Sequence, residues 1–269
     1  MAGFGDLEGF VGRHRRLFVL TGAGCSAPSG IPDYRDADGQ WKRAQPVAYQ
    51  AFVQSEATRR RYWARSLIGW RRFGSAAPNA AHRALAGLEV LGKSEHLATQ
   101  NVDRLHQAAG SEKVIDLHGR LDRVRCMACG ALTPRGELQR ELIRLNPEWL
   151  ALDAAEAPDG DADLDGADFS SFTVPPCPRC GGLLKPDVVF FGENVPRDRV
   201  ERAYGHLDAA DAMLIVGSSL MVYSGYRFAE RAAAAGKPIA AVNLGKTRAD
   251  ALIALKVEAP CEEALAFLL

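Results

Sequence analysis

Four of the six cysteines form two pairs with the spacing of metal ligands. Cys126 and Cys129 make one C-x-x-C pair, Cys177 and Cys180 make the other, and the 47 residues 130–176 separate them. Each C-x-x-C turn presents two thiolates, and two such turns complete the tetrahedron that Zn²⁺ prefers. Because four thiolates leave no open position for a substrate, the pattern predicts one structural zinc ion and not a catalytic one. Free or redox-active cysteines are the alternative.

A glycine-rich segment, GAGCSAPSGIPDYR (22–35), follows the apolar run Leu17–Thr21. A strand, a glycine turn and a helix start are typical of a pyrophosphate site, because glycines let the backbone approach phosphates and free N–H groups attract the anion. The motif is not G-x-G-x-x-G, so a plain tight turn is the alternative. Cys25 within it is either a small buried filler or a thiol whose pKa is lowered near a helix N-terminus and which is therefore sensitive to oxidants.

Small or polar residues follow five apolar segments that have the length of buried strands. They are Gly22–Gly24, Gln100–Asn101, His118–Gly119, Gly217–Ser219 and Asn243–Gly245. Ligands of open α/β sheets bind at the carboxyl ends of the strands, so we expect these residues to line a single crevice. His118 is the candidate general base, because an imidazole can accept a proton near neutral pH. A structural histidine at a strand end is the alternative.

The positions of these residues depend on strands that alternate with helices. Helices are predicted over 59–73, 78–92 and 226–236, and apolar strand segments precede the five small or polar sites. This order predicts an α/β fold with a mostly parallel sheet that helices cover on both faces. The acidic stretch 153–171 interrupts the cysteine region and is predicted to be a solvated loop.

The overall charge excludes some classes of partner. The chain contains 33 Lys and Arg and 33 Asp and Glu, so its formal net charge is zero. Broad electrostatic capture of nucleic acid or of an anionic membrane is therefore not expected. No apolar run of about 18 residues is present, so no membrane span is predicted. Unbridged cysteines indicate the cytoplasm of a bacterium, or the mitochondrial matrix if a leader has been removed. No pattern indicates the oligomeric state.

The glycine-rich segment resembles the signature of the sirtuins, the NAD-dependent protein deacylases, and further segments that resemble the family follow in the same order. They are TQNVDRLHQAAG (99–110), DLHG (116–119), the two C-x-x-C pairs, KPDVVFFGE (185–193), GSSLMVY (217–223) and VNLG (242–245). RYWARSLIGW (61–70), NPEWL (146–150) and APDGD (157–161) are most similar to the class II, mitochondrial-type branch or its bacterial counterpart. Cys25, where the family usually has an apolar residue, and Pro28, where an acidic residue is frequent, depart from the pattern.

The resemblance implies a fold with two parts. A Rossmann-like NAD-binding domain would comprise residues 1–35, 76–120 and 186–269. A small domain with a helical segment and the zinc module would comprise residues 36–75 and 121–185. NAD is then expected in the crevice between the two.

The resemblance also implies the residues that contact NAD. They are Gly22, Ala23, Gly24, Asp33, Tyr34, Arg35, Gln100, Asn101, Asp103, Gly217, Ser218, Ser219, Asn243, Leu244, Gly245 and Cys261. Asn101 is also implied to act with His118 in catalysis. Helix capping is the alternative role of Asn101 and Asp103. A surface ion pair with each other is the alternative for Asp33 and Arg35.

The implied reaction is acyl transfer from a lysine side chain to ADP-ribose. The acyl carbonyl oxygen attacks C1′ of the nicotinamide ribose, nicotinamide leaves, and His118 takes a proton from the ribose hydroxyls. Water then releases lysine and O-acyl-ADP-ribose. The substrate peptide is expected to add as a β-strand beside Val189, Phe191 and Gly192, with the 217–223 segment as the opposing strand.

The acyl group is left open by the sequence. Tyr62 and Arg65 have the spacing of a Tyr/Arg pair by which some sirtuins hold acidic acyl chains, since an arginine can pair with a carboxylate. Packing of both residues on a helix face is the alternative.

Two other functions fit parts of the sequence. Protein mono-ADP-ribosyl transfer would use the same NAD site with a different acceptor. A zinc-ribbon binding module without catalysis would need a basic face, for which Arg120, Arg123 and Arg125 are candidates. The acidic residues within 153–168 argue against nucleic acid as its partner.

Overall fold

A computed structural model describes residues 3–42, 45–152, 155–164 and 166–269 of the chain. Its helices are α1 (Phe4–Arg13), α2 (Tyr49–Gln54), α3 (Glu56–Phe73), α4 (Ala80–Val90), α5 (Leu105–Ala108), α6 (Arg135–Leu145), α7 (Arg197–Ala209), α8 (Tyr223–Ala234) and α9 (Cys261–Ala264). Its strands are β1 (Leu17–Thr21), β2 (Ser94–Thr99), β3 (Val114–Asp116), β4 (Gly119–Cys126), β5 (Leu132–Pro134), β6 (Ala155–Ala157), β7 (Asp161–Asp163), β8 (Leu184–Val188), β9 (Ala212–Val216), β10 (Ile239–Val242) and β11 (Leu255–Val257).

The chain forms two compact units. The first unit comprises Met1–Ala44, Ala77–Leu117 and Val195–Leu269, and the second comprises Gln45–Ala76 and His118–Asn194.

The bounds of these units differ from the predicted domain boundaries at four places. Residues 36–44 lie in the first unit, whereas 76, 118–120 and 186–194 lie in the second. The difference at the last two segments follows from strand pairing, because β4 and β8 are antiparallel neighbours in the sheet of the second unit.

The first unit contains a six-stranded sheet in the order β11-β10-β9-β1-β2-β3. All five neighbouring pairs are parallel, which confirms the predicted α/β fold with a parallel sheet. The chain proceeds from β1 towards one edge of the sheet, and from β9 towards the other. The adjacent ends of β1 and β9 therefore form the topological switch point, where open α/β sheets bind ligands.

Alternate residues of the central strand pack into separate cores on the two faces of the sheet. Leu17 and Val19 of β1 pack with residues of α1 and α4, whereas Phe18 and Leu20 pack with residues of α7 and α8. Because both faces are buried, β1 is apolar from Leu17 to Leu20 instead of alternating with polar residues, and its last residue, Thr21, is also buried.

Helix α4 shows how local sequence fixes an element near the site. The Asn79 side chain accepts hydrogen bonds from the N–H groups of Ala81 and His82, and His82 Nδ1 accepts from the Asn79 N–H. This reciprocal capping explains why the helix starts at Ala80. It ends at Val90, and Gly92 follows with φ of +69°, in agreement with the predicted glycine stop.

The second unit contains a three-stranded antiparallel sheet in the order β5-β4-β8. Helix α3 carries Trp63 and Leu67 into its core, and Arg135 at the start of α6 is fully buried with its guanidinium over the Trp63 and Trp70 rings. Across the described ranges of both units, no helix combines the length and the apolar character that a membrane crossing needs.

The prediction of a solvated loop over 153–171 is wrong for much of that stretch. Strands β6 and β7 form an antiparallel hairpin, and Ala157 and Ala162 are buried. The hairpin packs on α3 so closely that a Cβ on Gly69 would lie 2.3 Å from the carbonyl oxygen of Gly160. Residues 153, 154 and 165 of the predicted loop lie outside the described residues.

Candidate functional site

The ends of β1 and β9 approach each other backbone to backbone. The Gly22 N–H donates to the Val216 carbonyl at 3.1 Å, and the Gly24 N–H donates to the Gly217 carbonyl at 2.9 Å. Gly217 has φ of +62°, and a Cβ there would lie 2.3 Å from the Cys25 nitrogen. These contacts explain the glycines, since a side chain at either strand end would separate the two backbones.

The end of β2 adds two side-chain amides to these loops. The Ser218 hydroxyl donates to Gln100 Oε1 at 2.6 Å. Asn101 Nδ2 donates to the Gly22 carbonyl at 3.0 Å and to Ser26 Oγ at 2.9 Å, and its side chain is buried. The predicted residues at the ends of β1, β2 and β9 therefore lie together in the first unit.

Ser26 connects this group to a buried carboxylate. Its hydroxyl donates to Asp103 Oδ2 at 2.6 Å, and Asp103 Oδ1 accepts from the Leu105 N–H at 2.9 Å. Burial raises the pKa of Asp103 above its ordinary value. Sequence reasoning did not single out Ser26, although it lies within the glycine-rich segment, and its position shows that this serine fixes both Asn101 and Asp103.

The remaining predicted contacts at strand ends extend along the same edge of the sheet. The Asn243 amide donates to the carbonyls of Leu244 and Gly245, which fixes the turn after β10. A Cβ on Gly245 would lie 2.2 Å from the Ala37 carbonyl oxygen. The Ser219 carbonyl accepts from the Arg248 N–H at 2.9 Å, while the Ala23 carbonyl accepts from the Ser26 N–H at 3.0 Å.

The segment Asp33–Arg35 lies in a loop with its own contacts. The Asp33 carboxylate pairs with Lys42, so an ion pair between Asp33 and Arg35 is wrong. The guanidinium of Arg35 lies 4.0 Å from the centroid of the Trp41 ring and donates to the Gly39 carbonyl. We attribute the orientation of Arg35 to the Trp41 ring, because stacking on an aromatic ring stabilises a planar guanidinium more than pairing with an exposed carboxylate does.

The two unpaired cysteines lie in the core of the first unit. Cys25 is fully buried, and burial raises the pKa of its thiol well above the ordinary value. The interpretation of Cys25 as an oxidant-sensitive thiol of lowered pKa is therefore wrong, because the three-residue turn Ala23–Cys25 offers too little compensation for the loss of water. Cys261 begins α9, and burial raises its pKa to about 12.

His118 begins the second unit beside the segment predicted to bind substrate. Its carbonyl accepts from the Val189 N–H at 2.7 Å. Gly119 has φ of +88°, and a Cβ there would lie 2.1 Å from the Asp187 carbonyl oxygen. The glycine thus allows the start of β4 to lie against the end of β8, which fixes the backbone of His118 relative to Val189.

Residues Val189–Gly192 follow β8, which is the outer strand of the three-stranded sheet in the described part of the second unit. The Phe191 carbonyl accepts from the Tyr49 N–H at 2.9 Å. Gly192 has φ of +78°, in the left-handed region that favours glycine.

A buried ion pair beneath this segment holds the turn in place. The Lys185 ammonium lies 2.9 Å from Glu193 Oε2 and donates to the Val188 carbonyl. Glu193 Oε2 in turn accepts from the Phe190 N–H at 2.9 Å. The KPDVVFFGE motif therefore contains both the predicted substrate residues and the charged pair that shapes them.

Tyr62 and Arg65 lie on α3 but have different surroundings. The Tyr62 ring packs against the rings of Phe52 and Phe190, with centroids 5.4 and 5.3 Å away. Arg65 Nε donates to Asp161 Oδ1 at 2.8 Å, and its side chain is largely buried. Arg65 thus has a carboxylate partner within the chain, Asp161.

The four paired cysteines come together in the second unit. Their sulfur atoms all lie within 4.8 Å of one another; Cys126 Sγ is 3.5 Å from Cys180 Sγ, and Cys129 Sγ is 3.9 Å from Cys177 Sγ. Zn–S bonds of about 2.3 Å in a tetrahedron place the sulfurs about 3.8 Å apart, so the cluster fits one zinc ion.

The arginines near this cluster do not form a free basic face. Arg123 and Arg125 both pair with Asp187, and Arg120 pairs with Asp122. Two carboxylates compensate two of the three positive charges, which weakens the basic surface that a nucleic-acid-binding zinc ribbon needs.

The chain is similar to known proteins along most of its length. Residues 22–224 match the model of the Sir2 family. NAD-dependent protein deacetylase 2 of Bradyrhizobium diazoefficiens is 72% identical over 264 residues, which cover 98% of this chain and 97% of that protein. The NAD-dependent protein deacetylase of Xanthomonas campestris is 69% identical over 262 residues, which cover 97% of this chain and 89% of that protein.

A solved complex of Sir2 with a p53 peptide and NAD⁺ has the same fold, with a TM-score of 0.79 and 31% identity over 99% of this chain and 97% of that chain. The family match spans most of the chain, and the relatives are similar over nearly their whole length. The chain therefore belongs to the Sir2 family.

Proposed function

We propose that the protein is an NAD-dependent protein-lysine deacetylase, which transfers the acyl group to ADP-ribose and releases nicotinamide. One observation carries the proposal: Gly22–Gly24, Gln100–Asn101 and Gly217–Ser218 meet at the switch point of the parallel sheet. In a chain of the Sir2 family, this arrangement places glycine loops and fixed amides where a dinucleotide binds.

The residues at the switch point fit a dinucleotide. The backbone N–H groups of Ala23 and Ser218 find no acceptor among the described residues, so they are available to phosphate oxygens. Asn101 and Asp103 are held by hydrogen bonds through Ser26. Bound NAD would supply the ribose carbon that accepts the acyl oxygen, with nicotinamide as the leaving group.

Other residues of the first unit are proposed to complete NAD binding. The Asp33–Arg35 loop would cover the nicotinamide half, with Tyr34 shielding the reactive carbon from water. Asn243–Gly245 and the N-terminal end of α9 at Cys261 would contact the adenosine half. The fixed turn after β10 supports this role, because a preorganised loop loses little entropy on binding.

His118 is the proposed general base. A neutral imidazole would accept a proton from the ribose hydroxyls and so make the oxygen nucleophilic towards the acyl carbon. The backbone hydrogen bond from Val189 supports this role, since it fixes the base relative to the segment that would hold the acyl-lysine.

The proposed macromolecular partner is an acyl-lysine peptide that adds as a β-strand beside Val189–Gly192. Backbone groups supply most of the affinity in such binding, so little peptide sequence is specified. The position of β8 at the outer side of its sheet supports strand addition here.

Neutral acyl groups such as acetyl are the proposed substrates. An acidic acyl chain would need a cation, and the Arg65 guanidinium already pairs with Asp161. The aromatic packing around Tyr62 supports a role in shaping an apolar acyl site instead.

The zinc ion is proposed to be structural, because four thiolates fill its coordination sphere. The relatives named above are bacterial, and we propose that this protein acts in the bacterial cytoplasm, where thiols stay reduced.

The test of the proposed function is the His118→Ala variant with an acetyl-lysine peptide and NAD. We expect formation of O-acyl-ADP-ribose to fall by at least about 100-fold, the usual contribution of a general base. His14→Ala, which changes a histidine at the C-terminal end of α1, before the start of β1, should keep wild-type activity. Zinc content and circular dichroism should be unchanged in both variants.

Two results would contradict the proposal. Full activity of His118→Ala would exclude this histidine as the base. Transfer of ADP-ribose to protein without any O-acyl-ADP-ribose from acyl peptides would show that the chain is a mono-ADP-ribosyltransferase.

A further inference from the structure

A second cluster of metal-ligating side chains lies in the first unit, apart from the four-cysteine centre. Cys25, His82 and His106 each offer one ligand atom, and these atoms all lie within 4.8 Å of one another. All three side chains are at most 1% exposed. The His82 and His106 rings have centroids 4.8 Å apart.

His106 has an unused lone pair in this core. The Thr21 hydroxyl lies within hydrogen-bond distance of Thr99 Oγ1 and 2.8 Å from His106 Nε2. When the Thr21 hydroxyl donates to Thr99, its oxygen accepts from His106 Nε2–H, and Nδ1 is then an acceptor. Nδ1 is fully buried and has no hydrogen-bond partner among the described residues. A buried polar atom without a partner is costly and indicates a missing ligand.

His82 is held only weakly by its protein partners. Its Nε2 lies 3.3 Å from Ser26 Oγ, and its Nδ1 accepts from the Asn79 N–H at the same length. Both are long for hydrogen bonds. Binding of a metal ion at Nδ1 would therefore replace only the long hydrogen bond from Asn79, while Nε2 would keep the proton that it shares with Ser26 Oγ.

We propose that Cys25, His82 and His106 form a buried site for a soft monovalent metal ion, Cu⁺. Thiolate and imidazole are ligands that copper binds well. Cys25 Sγ and His106 Nδ1 are the two principal ligands, and His82 is the third. With bonds of about 2.0–2.3 Å, a trigonal site needs ligand atoms about 3.6 Å apart, so the side chains close in by roughly 1 Å.

Charge selects a monovalent ion over Zn²⁺ at this position. Cu⁺ replaces the thiol proton of Cys25, which leaves to solvent, so the net charge of the core does not change. Zn²⁺ would add one positive charge to a fully buried site, which is unfavourable without a compensating anion. The nearby Asp103 carboxylate already accepts hydrogen bonds from Ser26 and Leu105 through its two oxygens. Zinc also prefers four ligands, and the cluster offers three.

The test is an anaerobic titration of the zinc-loaded protein with Cu⁺ in competition with bathocuproine disulfonate. We expect one Cu⁺ per chain, with one zinc retained, and a thiolate-to-copper charge-transfer band in the near ultraviolet. In Cys25→Ser the affinity for Cu⁺ should fall by more than about 100-fold, because even an outer-shell partner of a metal ligand contributes about 10–100-fold. Cys261→Ser, which changes another buried thiol of the same core, should bind Cu⁺ as wild type does.

A measurement on the wild-type protein keeps the proposal testable if a variant misfolds. The ¹⁵N resonance of His106 Nδ1 should shift on addition of Cu⁺, while His106 Nε2 keeps its proton. The proposal is overturned if this resonance does not move, or if copper enters only as zinc leaves. Unchanged copper affinity in folded Cys25→Ser, or its loss in Cys261→Ser, would equally exclude the assigned ligands.

Discussion

Burial sets the charge of the titratable side chains around the end of β1. Burial lowers the pKa of His82 to about 4 and that of His106 well below its ordinary value. It raises the pKa of Cys25 and of Asp103. All four shifts favour the neutral form, because a charge in this core would lose its hydration. Burial therefore favours neutral His82, neutral His106 and a protonated Cys25 thiol beneath the glycine-rich loop.

The buried His82 makes stability depend on pH. The unfolded imidazole has a pKa of about 6.5, above the folded value, so the unfolded chain binds more protons between pH 6.5 and 4. The free energy of unfolding therefore falls as the pH falls through this range and levels off below it. We expect His82 to account for a loss of about 2 kcal/mol between pH 7 and pH 5.

The measurement compares urea unfolding of wild type and His82→Gln at these two pH values. Glutamine can keep the reciprocal cap with Asn79, so the helix start is preserved. The difference between pH 7 and pH 5 should be smaller in the variant by about 2 kcal/mol. His14→Gln, which lies outside the two core clusters, is the control and should keep the wild-type difference. Equal differences in wild type and His82→Gln would contradict the effect of burial.

At the scale of elements, the sequence predicted hydrophobic strands and the glycine that ends a helix. The apolar run Leu17–Thr21 and the stop at Gly92 correspond to a strand and a helix end in the structure. Helices α1, α6 and α7 were not predicted. In α6 and α7 the apolar positions are few among charged residues, whereas α1 contains three glycines, which do not favour a helix. The hairpin β6–β7 was missed because its contacts are made by backbone and small side chains, which leave no hydrophobic pattern.

The candidate site was predictable where chemistry is local and not where it depends on distant partners. The C-x-x-C spacing alone correctly predicted that the four cysteines lie together. The pairing of Arg65 with Asp161 joins residues 96 positions apart, and no sequence pattern indicates it. Arg35 and Trp41 are close in sequence, but their stacking was not predicted because the loop that presents the ring has no periodicity.

The contact between α3 and the β6–β7 hairpin gives an element-scale prediction. Alanine normally stabilises a helix by about 1 kcal/mol over glycine. In Gly69→Ala, however, the new Cβ would lie 2.3 Å from the Gly160 carbonyl oxygen and 2.6 Å from that of Asp161. Because both are backbone atoms, the hairpin must move, and we expect a net destabilisation of roughly 1–3 kcal/mol.

The matched control is Gly136→Ala in α6 of the same unit, where a new Cβ meets nothing within 4 Å. This variant should be more stable than wild type by about 0.5–1 kcal/mol. Thermal unfolding of both variants at one zinc concentration distinguishes the two effects. If Gly69→Ala also raised the midpoint, the close approach of α3 and the hairpin would be wrong.

At the scale of the whole molecule, the two units differ in what holds each together. The first unit buries both faces of a six-stranded sheet. In the second unit, zinc would join the turn between β4 and β5 to the turn at Cys177–Cys180. Closing a loop of 47 residues, 130–176, restricts the unfolded chain by roughly 4 kcal/mol if the metal acts as a covalent cross-link does.

Removal of zinc should therefore unfold the second unit while the first keeps its sheet. Hydrogen exchange followed by mass spectrometry measures this directly: in chelator-treated protein and in Cys177→Ser, amides of β4 and β8 should lose protection, whereas those of β1 and β9 should retain it. Cys261→Ser should keep its zinc and its protection. Equal loss in both sheets would show that the first unit also needs the metal, and unchanged exchange would remove its architectural role. Both C-x-x-C pairs lie in the second unit, and backbone hydrogen bonds hold the glycine loops of the first, so the sheet of the first unit should not depend on zinc.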